Sequence, residues 1–198
     1  MIIASGGGRH IGGPEALLCQ GDRLLVERMV EVVREAELSP VVVVLGAAAD
    51  EVRTIADLRG ASVVVNRAWG TGLGTSLRVG LSALALTPVE AVAVMPVDMP
   101  GITAEALRRV TALPYPDMLV CATYGGVRNY PMVFGRRHWS AISDLGNADG
   151  GARAYLLAHR DEVVDISCDS AADPTKVDSP ELLAEWGLSF VPTGVPAS

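Results

Sequence analysis

Val41-Val42-Val43-Val44-Leu45 places five apolar residues in a row, four of them valine. Consecutive β-branched side chains suit a strand covered on both faces, the position that strands hold in a parallel sheet. On its N-terminal side, within Leu24–Glu37, Leu25, Met29, Val32, Val33 and Ala36 fall on one helical stripe, while Glu27, Arg28, Glu31, Arg34 and Glu35 point away. On its C-terminal side a helical pattern over Ala49–Leu58 leads into a second apolar run, Ala61–Val65. The same alternation extends outward. Met1–Ala4, Ala91–Pro96 and Met118–Ala122 read as strands, and Leu73–Leu86 and Thr103–Leu113 as helices. Strands alternating with helices of this length make βαβ units, so the expected fold is a three-layer α/β fold with a mainly parallel central sheet.

Beyond Cys121 the rhythm loosens. Arg128–Phe134 reads as a strand, and Pro131 within it, which lacks an N–H, is expected at a sheet edge or a bulge. Helical patterns over Arg136–Ser143 and Gly150–His159 precede a strand at Val163–Ile166. Asp178-Ser179-Pro180-Glu181 then opens a last helix with a polar cap, a proline and an acid. No repeat or linker interrupts the chain, so residues 1–189 are expected to form one domain and residues 190–198 a loose tail.

With 198 residues and 49% hydrophobic content, the chain can bury a core without staples. A net charge of −7 argues against a broad nucleic-acid surface. No apolar stretch reaches the length of about 18 residues needed to span a membrane. Cys19, Cys121 and Cys168 are isolated, without metal-ligand spacing, and suit free thiols in the cytoplasm. Among 16 basic residues only one, Lys176, is a lysine.

Ligands of open α/β sheets bind beyond the carboxyl ends of the strands. The loop after the first strand, Ser5-Gly6-Gly7-Gly8-Arg9-His10-Ile11-Gly12-Gly13-Pro14, lies at such a place. Successive glycines let backbone N–H groups approach an anion, or simply make a flexible turn. The loop is neither the dinucleotide fingerprint, since Ile11 replaces the third glycine, nor a P-loop, since no Gly-Lys-Ser/Thr follows. Asp98, in Val97-Asp98-Met99-Pro100, follows the end of the strand Ala91–Pro96, where a carboxylate can hold Mg²⁺ against phosphate or bond its own turn. Gly74-Thr75-Ser76 starts a helix, where the hydroxyls either meet phosphate or cap the helix. Asp149 and Arg153 flank a glycine turn, in which the arginine binds a phosphate or pairs with the aspartate.

In this order the segments resemble the MobA-related nucleotidyltransferases, the molybdenum-cofactor guanylyl- and cytidylyltransferases. Ala4 to Leu18 follows their opening Ala-Ala-Gly-x-Ser-x-Arg-Met-Gly-x-Pro-Lys pattern. Asn66, Trp69, Gly72, Gly74-Thr75-Ser76-Leu77 and Gly80 follow the third helix segment, and Asp98-Met99-Pro100 the metal-binding Asp-Met-Pro. Asp149 with Gly151-Ala152-Arg153, and Val177-Asp178-Ser179-Pro180-Glu181, follow the closing motifs. The resemblance implies a Rossmann-like nucleotidyltransferase fold and transfer of CMP, or less readily GMP, from an NTP to a molybdopterin-type phosphate. It implies Mg²⁺, or Mn²⁺, on Asp98 and Asp178, and nucleotide contacts from Ser5, Gly6, Gly7, Gly8, Arg9, Gly12, Gly74, Thr75 and Ser76. Substrate contacts fall to Asn129, Tyr130 and Arg153, and catalysis to Asp98 with His10 and Glu15. The implied partners are an NTP (CTP rather than GTP), a molybdopterin-type cofactor, and a molybdoenzyme or maturation protein.

Two positions depart from the pattern: the family's arginine is His10 and its lysine is Glu15. A charge contact at roughly 4 Å is worth about 4 kcal/mol at an effective dielectric near 20, so the reversal at Glu15 is a large change. With no lysine in the first 175 residues, arginines such as Arg9 are the expected replacement. The alternative function is a catalytically impaired nucleotide- or cofactor-binding protein of the same fold.

Overall fold

The computed structural model describes residues 1–112, 116–145 and 151–191. The four-valine run is β4 (Val41–Leu45), and every one of its side chains is buried. It lies between β5 (Ala61–Val65) and β1 (Ile2–Ala4) in a seven-stranded sheet that continues through β6 (Ala91–Pro96), β8 (Val127–Gly135), β7 (Leu119–Tyr124) and β9 (Val163–Ser167). All neighbours pair in parallel except those of β8, which runs antiparallel to both β6 and β7. The helices are α1 (Leu25–Glu35), α2 (Ala49–Ile55), α3 (Leu73–Leu84), α4 (Ala104–Val110), α5 (Trp139–Asp144), α6 (Gly151–Ala158) and α7 (Pro180–Glu185). In α1 the apolar stripe is buried through Leu25, Met29 and Val33, each such side chain contributing roughly 1.5–3 kcal/mol. The expected mainly parallel α/β architecture is the one observed. No helix among the described residues is long and apolar enough to cross a membrane.

The C-terminal ends of α1, α2 and α3 fall two to three residues inside the predicted spans, α1 starts one residue late, and Leu113, Asp149 and Gly150 lie outside the described residues. Ser179 caps α7 by accepting the Leu182 N–H, with Pro180 in the first turn. Asp178 is therefore free of capping duty.

Pro131 is not on an edge. β8 is an interior strand, and its register with β7 jumps from Cys121↔Met132 to Ala122↔Asn129. Tyr130 and Pro131 thus form a bulge, which removes the residue without an N–H from the ladder and bends the strand.

A second, three-stranded antiparallel sheet joins β2 (Leu18–Gln20), β3 (Arg23–Leu24) and β10 (Leu188–Phe190). These short pieces carry no visible period in the sequence. Phe190, expected to begin the loose tail, pairs with Leu18, and the Val191 N–H bonds the Leu17 carbonyl at 3.2 Å. Pairing with a distant strand overrides the two following prolines as a sign of looseness. Residues 192–198 lie outside the description.

Candidate active site

The glycine loop leaves β1 and turns back on itself: the N–H groups of Ile11, Gly12 and Gly13 all bond the Gly8 carbonyl at 3.0–3.2 Å. Gly8 takes φ +54°, and a Cβ there would run into the Gly13 carbonyl. Only glycine fits this turn without strain. The Ala47 N–H bonds the Ser5 carbonyl at 3.1 Å, and the Trp69 ring packs so closely on Gly7 that a Cβ would lie 2.8 Å from it. A short 3-10 turn, Glu15–Leu17, then swings Glu15 back over the loop, its N–H on the Gly6 carbonyl at 3.2 Å. Its carboxylate lies against the Gly6 Cα.

Across from the loop, β6 delivers Asp98. The parallel ladder continues one residue past the strand through the Val97 N–H on Ile3, and Asp98 follows, its side chain only 3% exposed. The Asp98 carbonyl accepts the Val177 N–H at 2.8 Å, which clips the segment after β9 onto the end of β6. That single bond brings Lys176 and Asp178 to the cleft that Asp98 lines. Lys176 Nζ stands 3.4 Å from Asp98 Oδ2, whereas Asp98 Oδ1 is buried without any hydrogen-bond partner. Burial pushes the Asp98 carboxyl above the ordinary carboxylate range, and the Lys176 ammonium pulls it back. Burial, with the Asp98 charge behind it, lifts Glu15 to about 7, again opposed by Lys176. Asp98 first of all, then Glu15, raises Lys176.

The far wall comes from the β8 bulge. Asn129 Oδ1 accepts the Tyr130 N–H at 2.9 Å and an Arg153 Nη2–H from α6 at 3.3 Å. Tyr130 is buried, and desolvation pushes its phenol up to about 12, so it stays protonated. Together these parts enclose a cleft of about 700 Å³.

Of the residues singled out from sequence, Ser5, Gly6, Gly7, Gly8, Arg9, His10, Glu15, Gly74, Asp98, Asn129, Tyr130, Arg153 and Asp178 all line this cleft. Arg9 and His10 are exposed at its rim. Three residues are placed differently. Thr75 and Ser76 lie beneath the wall, 2% and 0% exposed, their hydroxyls bonded by the Asn66 amide at 2.8 and 2.9 Å. Ser76 also meets Ser5 Oγ at 2.7 Å, and Thr75 Oγ1 donates to the Gly72 carbonyl at 2.8 Å. With their hydrogen bonds satisfied internally, these hydroxyls brace the site rather than face a ligand. Gly12, with φ +93°, belongs to the outer turn of the loop and does not line the cleft.

Lys176 is the residue that sequence reasoning missed. Arginines were the expected replacement for the absent lysine, yet the one lysine of the chain enters the cleft from 161 positions beyond Glu15. Its adjacency to Val177-Asp178-Ser179-Pro180 was the available signal.

The MobA-like NTP transferase domain family matches residues 1–163 of this chain. The chain belongs to that family. Membership makes nucleotidyltransferase its enzyme class. A curated relative from Paenarthrobacter nicotinovorans, named nicotine blue oxidoreductase, is 32% identical over 189 residues, covering 91% of this chain and 92% of the relative. The crystal structure of an Rv0371c homologue from Mycobacterium sp. strain JC1 superposes with a TM-score of 0.78 at 28% identity, covering 93% of this chain and 91% of that one. Rv0371c of Mycobacterium tuberculosis H37Rv, solved in complex with manganese, has the same fold, with a TM-score of 0.79 at 24% identity and 93% and 95% coverage.

Proposed function

We propose that the protein is a divalent-metal-dependent nucleotidyltransferase that transfers CMP, or less readily GMP, from an NTP to the phosphate of a molybdopterin-type acceptor. The observation that carries this reading is Asp98: a buried carboxylate with one unpartnered oxygen at the end of a parallel strand, facing a glycine loop. An oxygen donor left unsatisfied in the interior is costly unless a cation completes it. The donor set therefore fits Mg²⁺ or Mn²⁺, with Asp98 and Asp178 as the holding residues. Among the described residues no three acidic, histidine or cysteine side chains cluster as a full metal shell. That suits a cation bound by one or two carboxylates plus substrate phosphates. Such a cation would supply neutralisation of phosphate charge.

The chain's own residues bind and orient. The glycine loop admits the triphosphate to its backbone, with Arg9 and His10 at the rim. Arg153, steered by Asn129, holds the acceptor phosphate bidentately from the opposite wall. An acceptor phosphate oxygen then attacks the α-phosphorus as the bond to the β-phosphate oxygen breaks, and pyrophosphate leaves. Such catalysis is positioning and charge stabilisation.

Calorimetric titration with CTP, GTP and ATP, each with Mg²⁺ and with EDTA, tests the reading, followed by pyrophosphate release on adding a molybdopterin acceptor. Metal-dependent binding of CTP and pyrophosphate release are expected. Binding without release would favour the impaired-binder alternative, and no NTP binding in any condition would overturn both. The name of the 32% identical relative favours a second reading, an oxidoreductase that works in the same cleft. Saturable NADH or NADPH binding with none for NTPs would replace the first reading by the second.

A further inference from the structure

We infer that Lys176 is the cation that receives the polyphosphate, delivered to the glycine loop from the far end of the chain. The inference rests on the nucleotide reading and adds the residue that makes the cleft tolerate an anion. Three carboxylates, Asp98, Glu15 and Asp178, line the same cleft, a poor greeting for a triphosphate. Against them stand Arg9 at the rim, Arg153 on the far wall and, beside Asp98 itself, the single ammonium of Lys176. Lys176 is the only lysine in 198 residues. Its backbone is fixed by buried Val177, whose N–H is bonded to Asp98, while its own side chain remains 56% exposed.

That combination of a pinned backbone and a free head group decides the role. A lysine needed only to neutralise Asp98 would engage both of its oxygens. Here the contact is a single one at 3.4 Å, and Oδ1 is left open. An ammonium on a flexible four-carbon stem can turn from Oδ2 to a phosphate oxygen in the cleft without any backbone movement. Lys176 thus guards the carboxylate while the cleft is empty and moves onto the phosphates when they arrive. The charge that the resemblance places at position 15 is supplied from position 176, in the cleft that Glu15 also lines.

The probes are inorganic tripolyphosphate and CTP, titrated calorimetrically in EDTA and again with Mg²⁺. Lys176→Gln should weaken tripolyphosphate binding at least tenfold, Lys176→Arg should stay within about threefold of the wild type, and the loss should shrink with added salt. Because Lys176→Gln leaves the Asp98 charge buried alone, the pair Asp98→Asn and Asp98→Asn/Lys176→Gln repeats the comparison in EDTA on a background without that charge. The same drop is expected between those two. Equal affinity with and without Lys176, on either background, overturns the inference. Failure of the wild type to bind any NTP instead sinks the reading on which it rests.

Discussion

Asp98 and Lys176 form an ion pair whose two members stand in different solvents. The carboxylate is 3% exposed and the ammonium side chain 56%. Breaking such a pair costs most when the buried charge is the one left behind. Asp98→Asn should therefore melt within about 3 °C of the wild type, while abolishing metal-dependent nucleotide binding. Lys176→Gln should lose about 1–3 kcal/mol at pH 7, measured by urea unfolding. A Lys176→Gln variant as stable as the wild type would mean that Asp98 is held neutral. Glu15 gives the second test at this scale. Its carboxylate lies against Gly6 in the loop, so Glu15→Lys should strengthen NTP binding in EDTA by about 1–3 kcal/mol, less in high salt. Weaker binding in that variant would instead make Glu15 a working carboxylate beside Asp98.

The glycine loop owes its shape to backbone alone. Gly8 combines φ +54° with a carbonyl that receives three N–H groups, and its Cα hydrogen faces the Gly13 carbonyl. Gly8→Ala should cost about 1–3 kcal/mol of stability and weaken NTP binding with it. Gly70, on the same cleft, has open space at its Cβ position and an ordinary φ, so Gly70→Ala should change stability by no more than about 0.5 kcal/mol. Similar losses at both positions, by chemical denaturation, would refute the account of the turn. The β8 bulge is the companion device: taking Tyr130 and Pro131 out of the ladder lets Asn129 meet Arg153 at the cleft mouth.

Over the whole molecule, the small sheet closes the chain on itself. β10 covers β2, with Leu188 buried, the Phe190 ring against Gly13, and Cys19 Sγ donating to the Ser189 carbonyl at 3.2 Å. Truncation after Gly187 should cost about 1.5–3 kcal/mol for the lost apolar cover. It should also expose Cys19 to a thiol reagent that leaves the full chain untouched. In the full chain all three thiols are buried. Desolvation lifts Cys121 from 9.0 to about 11, so at pH 8 about one molecule in a thousand carries its thiolate. No rapid labelling at pH 8 is expected before denaturation, and three thiols per chain after it. The raised folded-state value means stability is full below pH 9 and is lost as pH rises through 11. Rapid labelling of the native full chain would contradict this burial.

Local order was legible in the sequence because it is written in short periods. The valine run of β4, the stripe of α1, the Ser179-Pro180 start of α7 and the glycine loop each depend on neighbours within a few residues. Asp98 was legible for the same reason, since a carboxylate ending an apolar run lies at the mouth of a parallel sheet. Tertiary structure alone decided the rest. Thr75 and Ser76 turn inward because Asn66, nine and ten residues away, takes their hydroxyls. Pro131 became a bulge because the β7 ladder passes from Met132 directly to Asn129, at the point where the β6 ladder on the other side of β8 stops. Lys176 reached Asp98 through one backbone bond spanning 79 positions, from Val177 to the Asp98 carbonyl. Periodicity carries no record of such a contact, because a hydrogen bond between distant segments depends on the folded path of the chain, and composition shows only that the lysine exists.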